Sequence, residues 1–378
     1  MNSKRLNYLD MAKGIGIFLV LIGHLQGDSI FALSPYIHPL CVWIFSFHMP
    51  FFFLVSGIVM YMKGTDTSSM SLKEEVRKRF RSIMVPYIWF SLILLVYIAY
   101  SLYIAGTLFV NIGNLFITNV WYFVSCYGIN VLWFLPALFF GQLLFLVLNK
   151  YCRGKWLAVS VALLSAVGYI LSFLIRKTTH DTTATRCLYE FGTTLIRPLI
   201  TCGWIAIGYY LRMLTTGDNA IAKLFSKWDS PSDRKERLKY RMYYILLGLL
   251  FMGIFTALHL INRGIDIRTL AFGNVPAYLI CAFMGSCGLI LICKGLPPVK
   301  LLTFWGRGSL IFMAVHNNES ILYLALKLSM YVNQYLTFAR GYICYAIIVA
   351  VITLFSSLMI ILISKCFPFI IGKKYGSR

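Results

Sequence analysis

A chain of 378 residues in which 59% are hydrophobic and 13% charged, with a mean hydropathy of +0.76, lies outside the composition of water-soluble domains and excludes water as its main solvent. Its net charge of +22, from 35 Lys and Arg against 13 Asp and Glu, would suggest a nucleic-acid partner in a soluble protein. Here it is assigned to loops that orient a membrane protein, and no nucleic acid is expected.

Apolar runs of about 20 residues, enough to cross the hydrocarbon core of a bilayer, predict helices near 9–26, 39–62, 83–105, 131–149, 156–175, 195–214, 242–262, 273–293, 302–324 and 341–364. The expected fold is all-α: an integral membrane protein, one domain over 1–378, built as a bundle of about ten transmembrane helices. Placing the N- and C-termini in the cytoplasm puts most Lys and Arg in cytoplasmic segments, chiefly 63–82 and 212–241. The ten cysteines contain no CxxC pair, so neither a disulfide framework nor a metal site is expected.

The first run carries Asp10, Lys13 and His24. It lacks a small-residue cleavage site, so it reads as a retained helix and not as a signal peptide. Lys13 and His24 are eleven residues apart, which on an α-helix is about 20° beyond three full turns and roughly 16 Å along the axis. They share one face, with Asp10 one turn below Lys13 on nearly the same stripe. Ionisable groups at membrane depth are expensive and mark sites, although Lys13 could also snorkel to the inner interface and His24 bond at the outer one.

The second run places His48 among aromatics, with Pro50 expected to bend the helix and free carbonyl groups. A neutral imidazole there suits proton abstraction from a hydroxyl. Lys78, Arg79 and Arg81 precede the third run, where they serve either as ordinary cytoplasmic cations or as phosphate ligands.

The segment 106–130 contains no Asp, Glu, Lys or Arg. If it spanned, every later loop would invert and the positive-inside bias would vanish, so it is expected to be a re-entrant or interfacial segment on the outer face. Trp133, in Trp133-Phe134-Leu135-Pro136, would pack, anchor at the interface or stack on a sugar. The basic stretch 215–241, with a turn at Ser230-Pro231-Ser232, reads as a cytoplasmic loop. In the run 302–324, Arg307 and His316 are nine residues apart, about 180° on a continuous helix, and would not share a face.

In combination these motifs resemble the acyltransferase-3 family of polytopic membrane proteins, and within it the branch similar to fucose 4-O-acetylases. The segments that carry the resemblance are Tyr8-Leu9-Asp10-Met11-Ala12-Lys13 with the following His24, Phe47-His48-Met49-Pro50 with Ser56-Gly57, Lys78 to Arg81 before Val85-Pro86-Tyr87, Trp133 to Leu138, and Gly306-Arg307-Gly308-Ser309 leading to His316. Asp266-Ile267-Arg268-Thr269 also looks like this branch. Most members have arginine where this chain has Lys13, which is a point charge and not a planar fork.

The resemblance implies a multi-pass protein of the bacterial cytoplasmic membrane that takes acetyl-CoA or another acyl-CoA from the cytoplasm and acylates a hydroxyl of an envelope carbohydrate. His24 would be the general base or a transient acyl carrier, His48 its partner, and Lys13 beside Asp10 the stabiliser of the donor. Arg79 and Arg81 would meet the coenzyme A phosphates, while Trp133, Arg268 and His316 would contact the acceptor. A proton-coupled transporter or flippase is the alternative from another class, because buried His and Lys also build transport paths. A homodimer is left open.

Overall fold

The computed structural model describes residues 6–25, 38–64, 71–104, 111–152, 154–178, 181–262, 265–335 and 340–373. Part of the segment expected on the outer face, 106–110, lies outside them, as do 65–70 of the expected cytoplasmic segment 63–82.

In chain order the helices are α1 (Asn7–His24), α2 (His38–Phe45), α3 (His48–Met62), α4 (Leu72–Arg79), α5 (Val85–Ile104), α6 (Asn111–Val124), α7 (Phe134–Tyr151) and α8 (Lys155–Ile175). They continue as α9 (Thr183–Thr216), α10 (Ala220–Asp229), α11 (Arg234–Leu258), α12 (Val275–Gly295), α13 (Lys300–Arg307), α14 (Ser309–Val315), α15 (Glu319–Asn333) and α16 (Arg340–Cys366). Among the described residues the only extended pairing is an isolated bridge between Asp266 and Ala271.

Among the described residues eight helical stretches are long and apolar enough to cross a membrane, which defines a multi-pass helical membrane protein. Two of the expected spans are not among them. Asn7, Asp10, Lys13 and His24 dilute the apolar run of α1, and the run expected at 302–324 is broken into α13, α14 and the start of α15.

The chain forms two compact units. One comprises Met1–Val55, Tyr210–Ile265 and Phe272–Leu362, the other Ser56–Tyr209, Asp266–Ala271 and Ile363–Arg378. In the first unit, α1 lies against α13 at very close range. A Cβ on Gly14 would stand 1.9 Å from the Leu302 carbonyl oxygen, and one on Gly306 would stand 1.7 Å from the Asp10 oxygen. Each glycine thus admits the backbone of the other helix, a small-residue contact typical of membrane bundles.

The second expected span divides between α2 and α3. Pro50 has no N–H to give the Ser46 carbonyl and its ring crowds that group, so the regular ladder is interrupted at Ser46–Phe47. A related strain is absorbed before α5, where Phe80–Met84 forms a π-turn in which the Val85 N–H bonds the Phe80 carbonyl. The wider turn relieves Pro86, which cannot bond Ser82.

The stretch 215–241 is more than a loop. It contains α10, capped by Asn219, whose side chain accepts from the Ala222 N–H at 2.9 Å, and it opens α11 at Arg234. Asp229 at the end of α10 accepts from the Tyr244 hydroxyl and from Lys294 Nζ, both at 2.8 Å. Those two bonds hold α10 to α11 and α12.

Candidate active site

In the first unit the polar stripe of α1 meets partners at both ends. At the N-terminal end Asp10 is buried, with 3% of its surface exposed. Lys13 Nζ lies 2.8 Å from one of its oxygens and Arg307 Nε 3.4 Å from the other. Arg307 also donates to the Asn7 side-chain oxygen at 3.4 Å. Two cations on one buried carboxylate leave the cluster with net positive charge, and Lys13 and Arg307 are both less buried than Asp10.

At the other end of α1, His24 Nδ1 is 2.7 Å from His316 Nε2, with the two rings nearly parallel at 10° and 5.0 Å between centroids. His48 stands perpendicular to His24 at 6.4 Å, and Phe45 fills the angle, 6.0 Å from His24 and 5.0 Å from His48. His48 and His316 are buried, while His24 is half-buried.

Local structure fixes these rings. The break at Ser46–Phe47 lets His48 Nδ1 reach the Ile44 carbonyl at 2.9 Å. A carbonyl only accepts, so Nδ1 carries the hydrogen and Nε2 the lone pair of the neutral ring. The last turn of α1 is pinned by the Tyr345 hydroxyl, which donates to the Ile22 carbonyl at 3.0 Å beside the capping Leu25 N–H at 3.3 Å.

The sequence expectation for Arg307 and His316 is corrected here. On one continuous helix they would face opposite sides, yet Arg307 meets Asp10 and His316 meets His24, both on α1. The interruption at Gly308 between α13 and α14 resets the helical phase. His316 thereby joins the histidine cluster.

The remaining candidates belong to the second unit. Arg79 is buried and ion-paired with Glu75, which also binds Lys78 at 3.1 Å, whereas Arg81 is exposed. Among the described residues Arg81 has no acidic partner, so of the two its guanidinium is the one not tied to a carboxylate. Trp133 is 6% exposed and packs under the guanidinium of Arg197 at 5.1 Å, the packing alternative of the sequence reading. Arg268 contributes its carbonyl, which accepts from Arg197 Nε at 3.1 Å.

Arg197 was missed by sequence reasoning. It is 2% exposed, donates to the Tyr127 carbonyl at 2.8 Å, and lies 4.6 Å from the Tyr127 ring. The span expected from 195 put it at a helix end, but α9 begins at Thr183 and carries Arg197 well inside. An arginine directly before a proline within an apolar run was the available signal.

A helical membrane protein with facing histidines at one end of a helix and a buried carboxylate between two cations at the other has the groups for proton transfer and for binding an anionic partner. Residues 6–362 match the Acyl_transf_3 family, described as an acyltransferase domain, and the chain belongs to that family. Over 178 residues it is 28% identical to the nodulation protein NolL of Mesorhizobium japonicum, an alignment covering 46% of this chain and 42% of that protein. The chain thus aligns with less than half the length of that relative. No solved structure matches.

Proposed function

We propose that the protein is an O-acyltransferase of the bacterial cytoplasmic membrane, in the branch similar to fucose 4-O-acetylases. It would carry an acetyl group from cytoplasmic acetyl-CoA to a hydroxyl of an envelope carbohydrate, in a bundle of about ten spans with both termini in the cytoplasm. The observation that carries this reading is the His24 cluster on the same helix as the Asp10, Lys13 and Arg307 group, in a chain whose family is defined by an acyltransferase domain.

In this mechanism His24 takes the proton of the acceptor hydroxyl as its oxygen attacks the thioester carbonyl. The C–S bond breaks, the acetyl ester forms, and the proton on the imidazole passes to the departing coenzyme A thiolate. His48, with its Nε2 lone pair, assists beside it. Lys13 and Arg307, both held by Asp10, supply positive charge for the anionic donor. Arg81 meets donor phosphate; Trp133 and Arg268 act in shaping the acceptor side.

The test is acyl transfer by the purified protein from labelled acetyl-CoA, alongside mass spectrometry of envelope glycans with and without it. A glycan heavier by one acetyl group, lost in His24→Ala while the variant still inserts, is the expected result. Flux of a solute across liposomes with no acetyl-CoA consumed would overturn it in favour of transport.

A further inference from the structure

We infer that His316 is a positioning residue that fixes the tautomer of His24, so that Nε2 is the His24 nitrogen able to take a proton. The inference rests on the reading of His24 as base given above.

The argument follows the hydrogens. His316 Nδ1 lies 2.7 Å from the Met313 carbonyl oxygen and 3.2 Å from that of Phe312. Both groups only accept, so this nitrogen carries the ring hydrogen and Nε2 of neutral His316 carries a lone pair. That lone pair faces His24 Nδ1 at 2.7 Å, so His24 Nδ1 must donate, and the hydrogen on His24 is held there. The basic lone pair of His24 is thereby directed to Nε2.

When His24 takes up a proton at Nε2, the bond from Nδ1 to His316 also stabilises the imidazolium that forms. His316 serves as a neutral orienter in the place a carboxylate takes beside other catalytic histidines. It caps the C-terminal end of α14, whose phase is set by the interruption at Gly308, and the carbonyls of residues 312 and 313 in the last turn of that helix are in reach of its side chain.

Two polar substitutions separate the two bonds. The Gln oxygen in His316→Gln reaches the position of Nε2 and can still accept from His24. The shorter Asn in His316→Asn reaches the Met313 carbonyl but not His24. With purified protein and labelled acetyl-CoA, the expected result is kcat for His316→Gln within about tenfold of wild type and for His316→Asn lower by a further tenfold or more, with KM for the donor unchanged, in the range general-base effects span. Equal rates for the two variants at any level, or wild-type kcat in His316→Asn, would overturn the inference. Full activity in His24→Ala would instead overturn the reading on which it rests, so the two failures are told apart.

Discussion

Replacing Gly306 by Ala tests the contact on which the charged end of the site depends. The new Cβ would lie 1.7 Å from the Asp10 carbonyl oxygen and 3.0 Å from the Gly14 nitrogen. Both are backbone atoms, so no side-chain rotation relieves the clash. Ordinary contact begins near 3.4 Å, and α1 and α13 would have to part by the difference. The displaced residue is Asp10 itself, whose 3.4 Å bond to Arg307 has no slack. Overpacking of this kind costs about 1–3 kcal/mol, and a misplacement of about 1 Å in a catalytic array costs on the order of a hundredfold in rate. Thermal unfolding in detergent and acetyl transfer measured on the same preparation should both fall. Gly253→Ala is the control, because a Cβ there meets nothing within 4 Å and alanine gains about 0.5–1 kcal/mol over glycine inside a helix. Wild-type stability and rate in Gly306→Ala, or equal destabilisation by the control, would refute the reasoning.

The second unit supplies two further predictions. Arg81→Ala should raise the KM for acetyl-CoA by roughly tenfold or more with kcat little changed, since a charge-assisted hydrogen bond contributes about 1.5–3 kcal/mol. Arg79→Ala should instead lower thermal stability, because it removes a partner from the buried Glu75; the opposite pattern in steady-state kinetics would reverse their roles. Arg197→Met should destabilise the protein by about 2–5 kcal/mol, read by thermal unfolding, because the Tyr127 and Arg268 carbonyls lose their donor. Unchanged stability would mean that water replaces the guanidinium.

What the sequence could reveal depended on how local each cause was. The Asp10, Lys13 and His24 stripe follows from helical periodicity alone, and the structure keeps it. The division of 39–62 was legible in Pro50, because the missing N–H is a property of one residue. Arg307 and His316 were not legible: their angle was computed for an unbroken helix, and the interruption depends on Gly308, where a Cβ would meet Ile360 at 2.6 Å. That is a tertiary contact. The role of Arg79 was obscured for a similar reason, since a basic cluster next to a span does not say which cation a neighbouring Glu75 will take.

Most of the helices that carry the histidine and aspartate clusters, His48's excepted, are not among the long apolar stretches. Among the eight apolar stretches, Lys155–Ile175 is 17% buried and Gly341–Cys366 28%, so most of their residues keep exposed surface, where lipid demands hydrocarbon. Pro39–Met62, which carries His48, is 67% buried. α1, α13 and α14 fall outside the set altogether, and they contribute Asp10, Lys13, Arg307, His24 and His316. A helix shielded by its neighbours can hold polar groups that lipid would not tolerate, provided each finds a partner, and a helix that must present reacting groups has to spend part of its length on them. Length and hydropathy together therefore pick out the helix of His48 with the lipid-facing scaffold, and leave out the three helices that carry the other members of the two clusters. The same shielding explains Gly14 and Gly306: polar side chains cannot seal against each other as hydrocarbon does, so α1 and α13 close by backbone contact, and the carboxylate of Asp10 is held between cations from both helices.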